Sequence, residues 1–301
     1  MVILAGTSNP DLAKRVARLL KLPLGDIEIT RFIDNECRVY IKERVEGESV
    51  VVIQSLSTIA DQHLVELCLI GQALKSLKAS KVIAVIPWLG YSKQDKEFRK
   101  GEAISAQLVA KFIETAGFDA VITVELHSEN VLPYFHIPVS ELRTEGLLLK
   151  AVNWRPGLER AVVVSPDKGG KSRSELFARS AGLNIAYIVK KRDLATGTVT
   201  VSDIEGDVEG RDVIIFDDII NTGATAIRTS QFLKNHGAKK IYFLATHAVL
   251  AGDARELLAK STIDHVIVTD TIAIPKEKQF RKLSSVSVSR VLADAISHEV
   301  R

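Results

Sequence analysis

A chain of 301 residues with 46% apolar and 26% charged side chains has the length of about two ordinary domains and a composition that excludes disordered and membrane-spanning classes. Forty Lys and Arg against 37 Asp and Glu leave a net charge of +3, too little for a broad nucleic-acid-binding field, so an anion site must come from local clustering for a small charged ligand. Two cysteines, Cys37 and Cys68, lie far apart without Cys/His metal spacing, which excludes a disulfide framework or a recognisable zinc site.

A reducing, cytoplasmic setting is expected from this cysteine usage. The start, Met1-Val2-Ile3-Leu4-Ala5-Gly6, lacks the basic and long apolar regions of a targeting signal. No run approaches the roughly 18 apolar residues of a spanning helix, so no membrane association is expected.

Short β-branched runs alternate with 3.6-residue apolar spacing, which predicts βαβ units around mostly parallel sheets. In the first half, strands are expected at Val2–Ala5, Val50–Gln54, Val82–Pro87 and Ala120–Val124, with helices over Asp11–Leu20, Asp61–Leu77 and Ala103–Ala116. A turn-rich join is expected near Arg143–Pro156, where Glu145-Gly146 and Arg155-Pro156-Gly157 stand. In the second half, strands are expected at Ala161–Val164, Ile185–Val189, Val213–Phe216, Lys240–Leu244 and Val266–Val268. Helices follow near Ser172–Ala181, Thr225–Asn235 and Asp253–Lys260.

The most informative stretch is Val213-Ile214-Ile215-Phe216-Asp217-Asp218-Ile219-Ile220-Asn221-Thr222-Gly223-Ala224-Thr225. A buried strand runs into two acids and then into a small-residue turn that opens a helix. Backbone N–H groups of Asn221–Thr225, with the Thr222 and Thr225 hydroxyls, can bind a phosphate monoester, and Gly223 permits close backbone approach. Asp217 and Asp218 can accept hydrogen bonds from vicinal sugar hydroxyls, although capping of a strand and a helix is the simpler alternative. The segment resembles the ribose-phosphate-binding loop of the phosphoribosyltransferase fold.

Further motifs separate the families that share this loop. Val163-Val164-Ser165-Pro166-Asp167-Lys168-Gly169-Gly170-Lys171 is a second strand ending in an acid and a glycine pair, suited to polyphosphate and a hard cation. Pro87–Lys96 and Arg99-Lys100-Gly101-Glu102 gather cations beyond another strand, and Val124-Glu125-Leu126-His127 ends a third. In Ile188-Val189-Lys190-Lys191-Arg192, strand alternation sends Lys190 and Arg192 to one side. With Phe32-Ile33-Asp34-Asn35-Glu36 and Thr246-His247-Ala248, these pieces resemble the ribose-phosphate pyrophosphokinase family in order and spacing across nearly the whole chain.

The resemblance implies an α/β fold of two tandem phosphoribosyltransferase-like domains, each a mostly parallel sheet flanked by helices. Residues 1–146 would form an ATP-binding domain, and residues 147–301 a domain with the ribose 5-phosphate site and a catalytic flap. The implied reaction moves the β,γ-diphosphoryl group of ATP onto the 1-hydroxyl of ribose 5-phosphate, giving 5-phosphoribosyl 1-diphosphate and AMP. Lys190 and Arg192 match the family's catalytic pair on a flap continuing through Asp193–Gly197, with Arg192 also at ribose 5-phosphate. Phe32, Asp34, Asn35, Glu36, Lys93, Gln94 and Asp95 match ATP-binding positions. Asp217, Asp218, Asn221, Thr222, Gly223, Ala224 and Thr225 match the ribose 5-phosphate site. Asp167, Lys168, Gly169, Gly170 and Lys171 match the pyrophosphate loop, and His127 and Asp167 match positions associated with Mg²⁺. A dimer-based homo-oligomer is implied, a hexamer among its forms, with the Phe32 segment reaching a neighbouring subunit's ATP site. A phosphoribosyltransferase and a non-catalytic regulatory subunit remain as alternatives. Arg44 and Glu46 depart from phosphate-activated relatives, and the Glu46 carboxylate would repel a regulatory phosphate.

Overall fold

The computed structural model describes residues 1–153, 158–166, 169–192 and 199–300, except the side chains of 153, 190–192 and 199–202. The chain divides into two compact units, one of Met1–Arg143 with Thr271–Ala273 and Ser287–Arg301, the other of Thr144–Asp270 with Ile274–Val286.

The first unit begins with β1 (Val2–Ala5) and α1 (Pro10–Leu20), whose start is set by Pro10 and by Asn9 Oδ1 accepting the Leu12 N–H at 3.3 Å. A hairpin of β2 (Ile27–Arg31) and β3 (Cys37–Ile41) follows, then β4 (Ser49–Ile53), α2 (Ala60–Ser76), β5 (Lys81–Ile86), α3 (Ser105–Thr115), β6 (Ala120–Val124) and β7 (Val139–Leu142). The sheet is parallel throughout, in the order β1-β4-β5-β6-β7. Alternation sends Leu4, Val50, Val52, Val82, Ala84 and Ile86 into one core with Leu67, Ile70 and Leu74 of α2 and Val109, Ala110 and Ile113 of α3. Ile3, Val51, Ile53, Ile83 and Val85, the alternate set, are buried as well, which is why these strands read as continuous apolar runs.

The second unit opens with α4 (Glu145–Asn153) and β8 (Val162–Ser165), followed by α5 (Lys171–Ala181), β9 (Asn184–Arg192), β10 (Val199–Glu205) and β11 (Val213–Ile220). It continues through α6 (Ala224–Asn235), β12 (Ile241–Ala248), α7 (Ala254–Lys260), β13 (His265–Thr269) and β14 (Leu283–Val286). Its seven strands run β10-β9-β8-β11-β12-β13-β14, parallel except for the edge pair β10 and β9. The last helix, α8 (Ser289–Glu299), belongs to the first unit, where it packs on α1, β6 and β7.

Two expectations differ from this arrangement. The region expected as a turn-rich join is largely α4, because Leu148 and Val152 find a buried seat against Val163, Phe177 and Phe216; Gly146 sits in open space near its start. The C-terminal segment, expected in the second half, returns to the first unit because α8 buries Leu292, Ala293 and Ile296. No described helix is long and apolar enough to cross a membrane. Burial pushes the Cys68 thiol up to about 11, and burial with the nearby Glu66 charge raises Cys37; both are free thiols in the described structure.

Candidate functional site

In the second unit, β8 passes through α5 to β9 on one side, whereas β11 passes through α6 to β12 on the other. The strand order therefore reverses between neighbouring β8 and β11, the place where loops from the carboxyl ends of a parallel sheet diverge and leave a crevice. Both helices that begin there, α5 at Gly170 and α6 at Gly223, start on a glycine that offers no capping side chain of its own, and at α6 the Ala224 N–H donates to Thr222 Oγ1 over a long 3.5 Å. Their first-turn N–H groups and positive dipole ends thus face a site suited to an anion. Around α6, Asn221 and Thr222 are exposed and Thr225 is half-buried. Gly223 has φ +77°, and a Cβ there would lie 3.2 Å from Leu258 Cγ, so both conformation and space favour glycine.

Asp217 and Asp218 sit within β11, which extends to Ile220 by pairing Ile219 with His247 and Ile220 with Ala248 of β12. The strand expected to stop at Phe216 continues because the acids are compensated. Arg173 NH1 lies 2.9 Å from Asp218 Oδ1 and 3.6 Å from Asp217 Oδ1, with side-chain exposures of 15% for Arg173 and 3% for Asp218. Its aim follows from helix spacing. Phe177, one turn later on α5, stacks on Phe216 at 4.6 Å, placing Arg173 against the next residues of the strand. Asp217 Oδ1 also accepts the Asp218 N–H at 2.9 Å.

The remaining second-unit candidates divide. Gly169 and Gly170 lead into α5; Lys171 Nζ lies 4.7 Å from the Tyr187 ring centroid and 4.0 Å from Glu175. Asp167, Lys168 and the flap residues 193–197 lie outside the described residues, as do the side chains of Lys190 and Arg192, whose backbones pair with Val201 and Val199.

In the first unit, the loops after β4, β5 and β6 each hold a non-glycine residue in left-handed conformation: Thr58 (φ 43°), Tyr91 (φ 65°) and Glu125 (φ 41°). Strain gathered at one edge of a sheet marks a site whose surroundings hold it in place. Gly90 permits the approach of two of these loops, since a Cβ would meet the Leu56 carbonyl at 2.3 Å. The loop after β1 is held by buried Glu66, which accepts the Thr7 N–H and hydroxyl at 2.7 Å and Gln54 Nε2 at 2.6 Å.

Lys93 Nζ lies 5.9 Å from the Trp88 ring centroid, and Gln94 Oε1 accepts the Ser105 hydroxyl at 2.7 Å. Asp95 is buried, which raises its pKa, but hydrogen bonds from Ser128 and Asn130 outweigh that and hold its carboxyl below the ordinary value. Asn130 Nδ2 donates to it at 2.9 Å, and the Tyr134 hydroxyl donates to its carbonyl at 2.7 Å. Asp95 thus ties the Lys93–Gln94 loop to the loop that carries exposed His127. Phe32 to Glu36 form the tip of the β2–β3 hairpin, with Phe32 53% exposed and Ile33 fully exposed. The turn is closed by the Phe32 N–H to Glu36 O (2.9 Å) and the Glu36 N–H to Asp34 Oδ1 (3.2 Å), with Asn35 at φ 70°.

Sequence reasoning missed Arg173, although a cation three residues into a helix after Gly-Gly was a visible signal. It also missed Arg143 and Asn130, whose partners are remote in sequence.

Residues 1–117 match the family model of the N-terminal domain of ribose phosphate pyrophosphokinase, and residues 197–300 match that of the phosphoribosyl synthetase-associated domain. The ribose-phosphate pyrophosphokinase of Vibrio parahaemolyticus is 40% identical over 299 residues, covering 98% of this chain and 95% of that protein. That of Caldanaerobacter subterraneus is 40% identical over 294 residues, covering 98% and 93%. The crystal structure of phosphoribosylpyrophosphate synthetase from Mycobacterium smegmatis matches with a TM-score of 0.93 at 34% identity, covering 99% of this chain and 98% of that one. Likeness that runs from end to end in both sequence and fold places this chain in the ribose-phosphate pyrophosphokinase family.

Proposed function

We propose that the chain catalyses transfer of the β,γ-diphosphoryl group of ATP to the 1-hydroxyl of ribose 5-phosphate, with the sugar phosphate seated at the β8/β11 switch point. The observation that carries the seating is a pair of helix N-termini that open at glycines, beside the Asp217 carboxylate, since a sugar phosphate needs amides for its phosphate and acceptors for its hydroxyls. Asn221 to Thr225 hold the 5-phosphate, and Asp167 to Lys171 handle the diphosphate. Asp217, the more open of the two acids, receives the hydroxyls, while Asp218, expected to share that task, is buried against Arg173 and backs it. ATP is held by Lys93 and Gln94 and by Asp34, Asn35 and Glu36, with Phe32 near adenine. Asp95, whose carboxylate already accepts from Asn130, fixes the loop.

Members of the family are generally Mg²⁺-dependent. Among the described residues no three of His, Cys, Asp and Glu gather into a cage. His127 on a fixed loop, with Asp167 by family resemblance, would hold such an ion beside the triphosphate. When bound, that ion neutralises triphosphate charge. Lys190 and Arg192 meet the charge that builds on the transferred group and on the oxygen departing with AMP.

Exposed Phe32 and Ile33 on the hairpin tip, Val65 and Leu69 on α2, and Leu108 and Phe112 on α3 support a homo-oligomer in which the hairpin completes a neighbour's ATP site. The seating is tested by Gly223→Ala. A left-handed alanine costs roughly 1–2 kcal/mol, so the free loop relaxes out of the seating conformation and binding must restore it; about 1.4 kcal/mol is tenfold, so KM for ribose 5-phosphate rises about tenfold. KM for ATP stays unchanged; equal KM values for ribose 5-phosphate in variant and parent contradict the seating. With Glu46 exposed beside Arg44, activity responds weakly to inorganic phosphate, and a steep rise between zero and millimolar phosphate contradicts that reading.

A further inference from the structure

His127 is exposed, yet the residues around it are tied down. Arg143, directly after β7, places NH1 3.5 Å from Glu125 Oε2 and NH2 3.2 Å from Glu129 Oε1. A single guanidinium therefore grips acids two residues before and two residues after the imidazole. NH2 also lies 3.6 Å from Glu141 Oε2, and the other Glu141 oxygen accepts the Leu126 N–H at 2.8 Å. The Glu125 N–H donates to Leu142 O at 2.9 Å, and on the opposite side Ser128 and Asn130 bond Asp95. Glu125 combines a left-handed backbone with a side chain of 0% exposure, a state that persists only where the surroundings over-determine it.

We propose that Arg143 is a positioning residue for His127: by pairing with Glu125, Glu129 and Glu141 it fixes the loop so that the imidazole is held where the triphosphate and its ion arrive. This rests on the reading of His127 given above. Arginine suits the task because its planar fork engages several carboxylates at once, whereas lysine offers one point charge. The clamp acts at a distance from the reacting atoms, as outer partners of metal-associated histidines do.

The test uses the full chain as R143Q, R143K, H127A and H127A/R143Q. R143Q lowers kcat about 10–100-fold, the usual cost of losing such a partner, while KM for ribose 5-phosphate stays within about twofold. R143K recovers part of the loss. Amide exchange in the 125–130 segment of R143Q speeds about tenfold, a readout independent of turnover. On the H127A background R143Q costs little more, because residues acting through one another are not additive. Because R143Q takes the Arg143 charge away from the buried Glu125 carboxylate, E125Q/R143Q, which removes both charges, shows the same loosening without that imbalance. Equal factors on both backgrounds, or unchanged exchange, overturn the proposal. Full turnover by H127A overturns the reading beneath it.

Discussion

Arg173→Leu lowers the stability of the second unit by about 3–5 kcal/mol, the usual result of removing one partner of a buried ion pair. Asp218 is almost wholly buried, Arg173 is its cation at 2.9 Å, and the same NH1 stands 3.6 Å from Asp217. Leucine fills much of the arginine stem's volume but removes the guanidinium that stands against both carboxylates in a central strand. Repulsion there costs more than the small gain from an apolar side chain. For a unit of this size the unfolding transition falls by about 10 °C or more. Asp218→Asn with Arg173→Leu recovers part of the loss, since the buried charge that faced Arg173 is gone. Calorimetry resolves the transition, and an Arg173→Leu chain that melts with its parent contradicts the account of the acid pair. Function moves with stability: with the Arg173 charge removed, the acids beside the Asn221–Thr225 loop repel an incoming phosphate more strongly, so KM for ribose 5-phosphate rises in the same variant.

Lys190→Ala lowers kcat by about 10²–10³, equivalent to roughly 3–4 kcal/mol of lost transition-state stabilisation. With a divalent ion bound, the triphosphate would already be neutralised in part, so a cation brought to the transferred group matters most as charge redistributes toward the departing AMP oxygen. KM for ATP therefore changes far less than kcat. Steady-state kinetics on purified protein decides it, and near-normal turnover contradicts the role given to Lys190. Arg192→Ala behaves similarly, while Lys191→Ala, at the alternate strand position, has a smaller effect.

Much of the fold was legible because both sheets are covered on two faces. Ala120–Val124 matches β6 throughout, and α5 and α6 each begin one residue before their expected starts. Periodicity reports local structure but not partners. It could not show that α8 returns to α1, nor that Glu145-Gly146 opens a helix once Leu148 and Val152 find a core. The hairpin of β2 and β3 escaped because its strands are half-exposed and lack a continuous apolar run.

The candidate site was legible in a different way. The loop after β11 announced itself through Gly223 and its neighbours, because phosphate chemistry and left-handed backbone both demand small residues. Arg173, Arg143 and Asn130 did not, since each takes its role from a carboxylate that only folding brings near. Asp95 was visible as an acid among phosphate-suited residues, yet its buried bonds to Ser128 and Asn130 point to holding a loop.

The most direct test of the reaction and of the sites given to it is a ³¹P NMR time course of the purified chain with ATP, Mg²⁺ and ribose 5-phosphate. The account predicts AMP and a new diphosphate ester appearing in equal amounts, with both abolished when ribose 5-phosphate is omitted. Release of ADP, free diphosphate without the ester, or no turnover would contradict it.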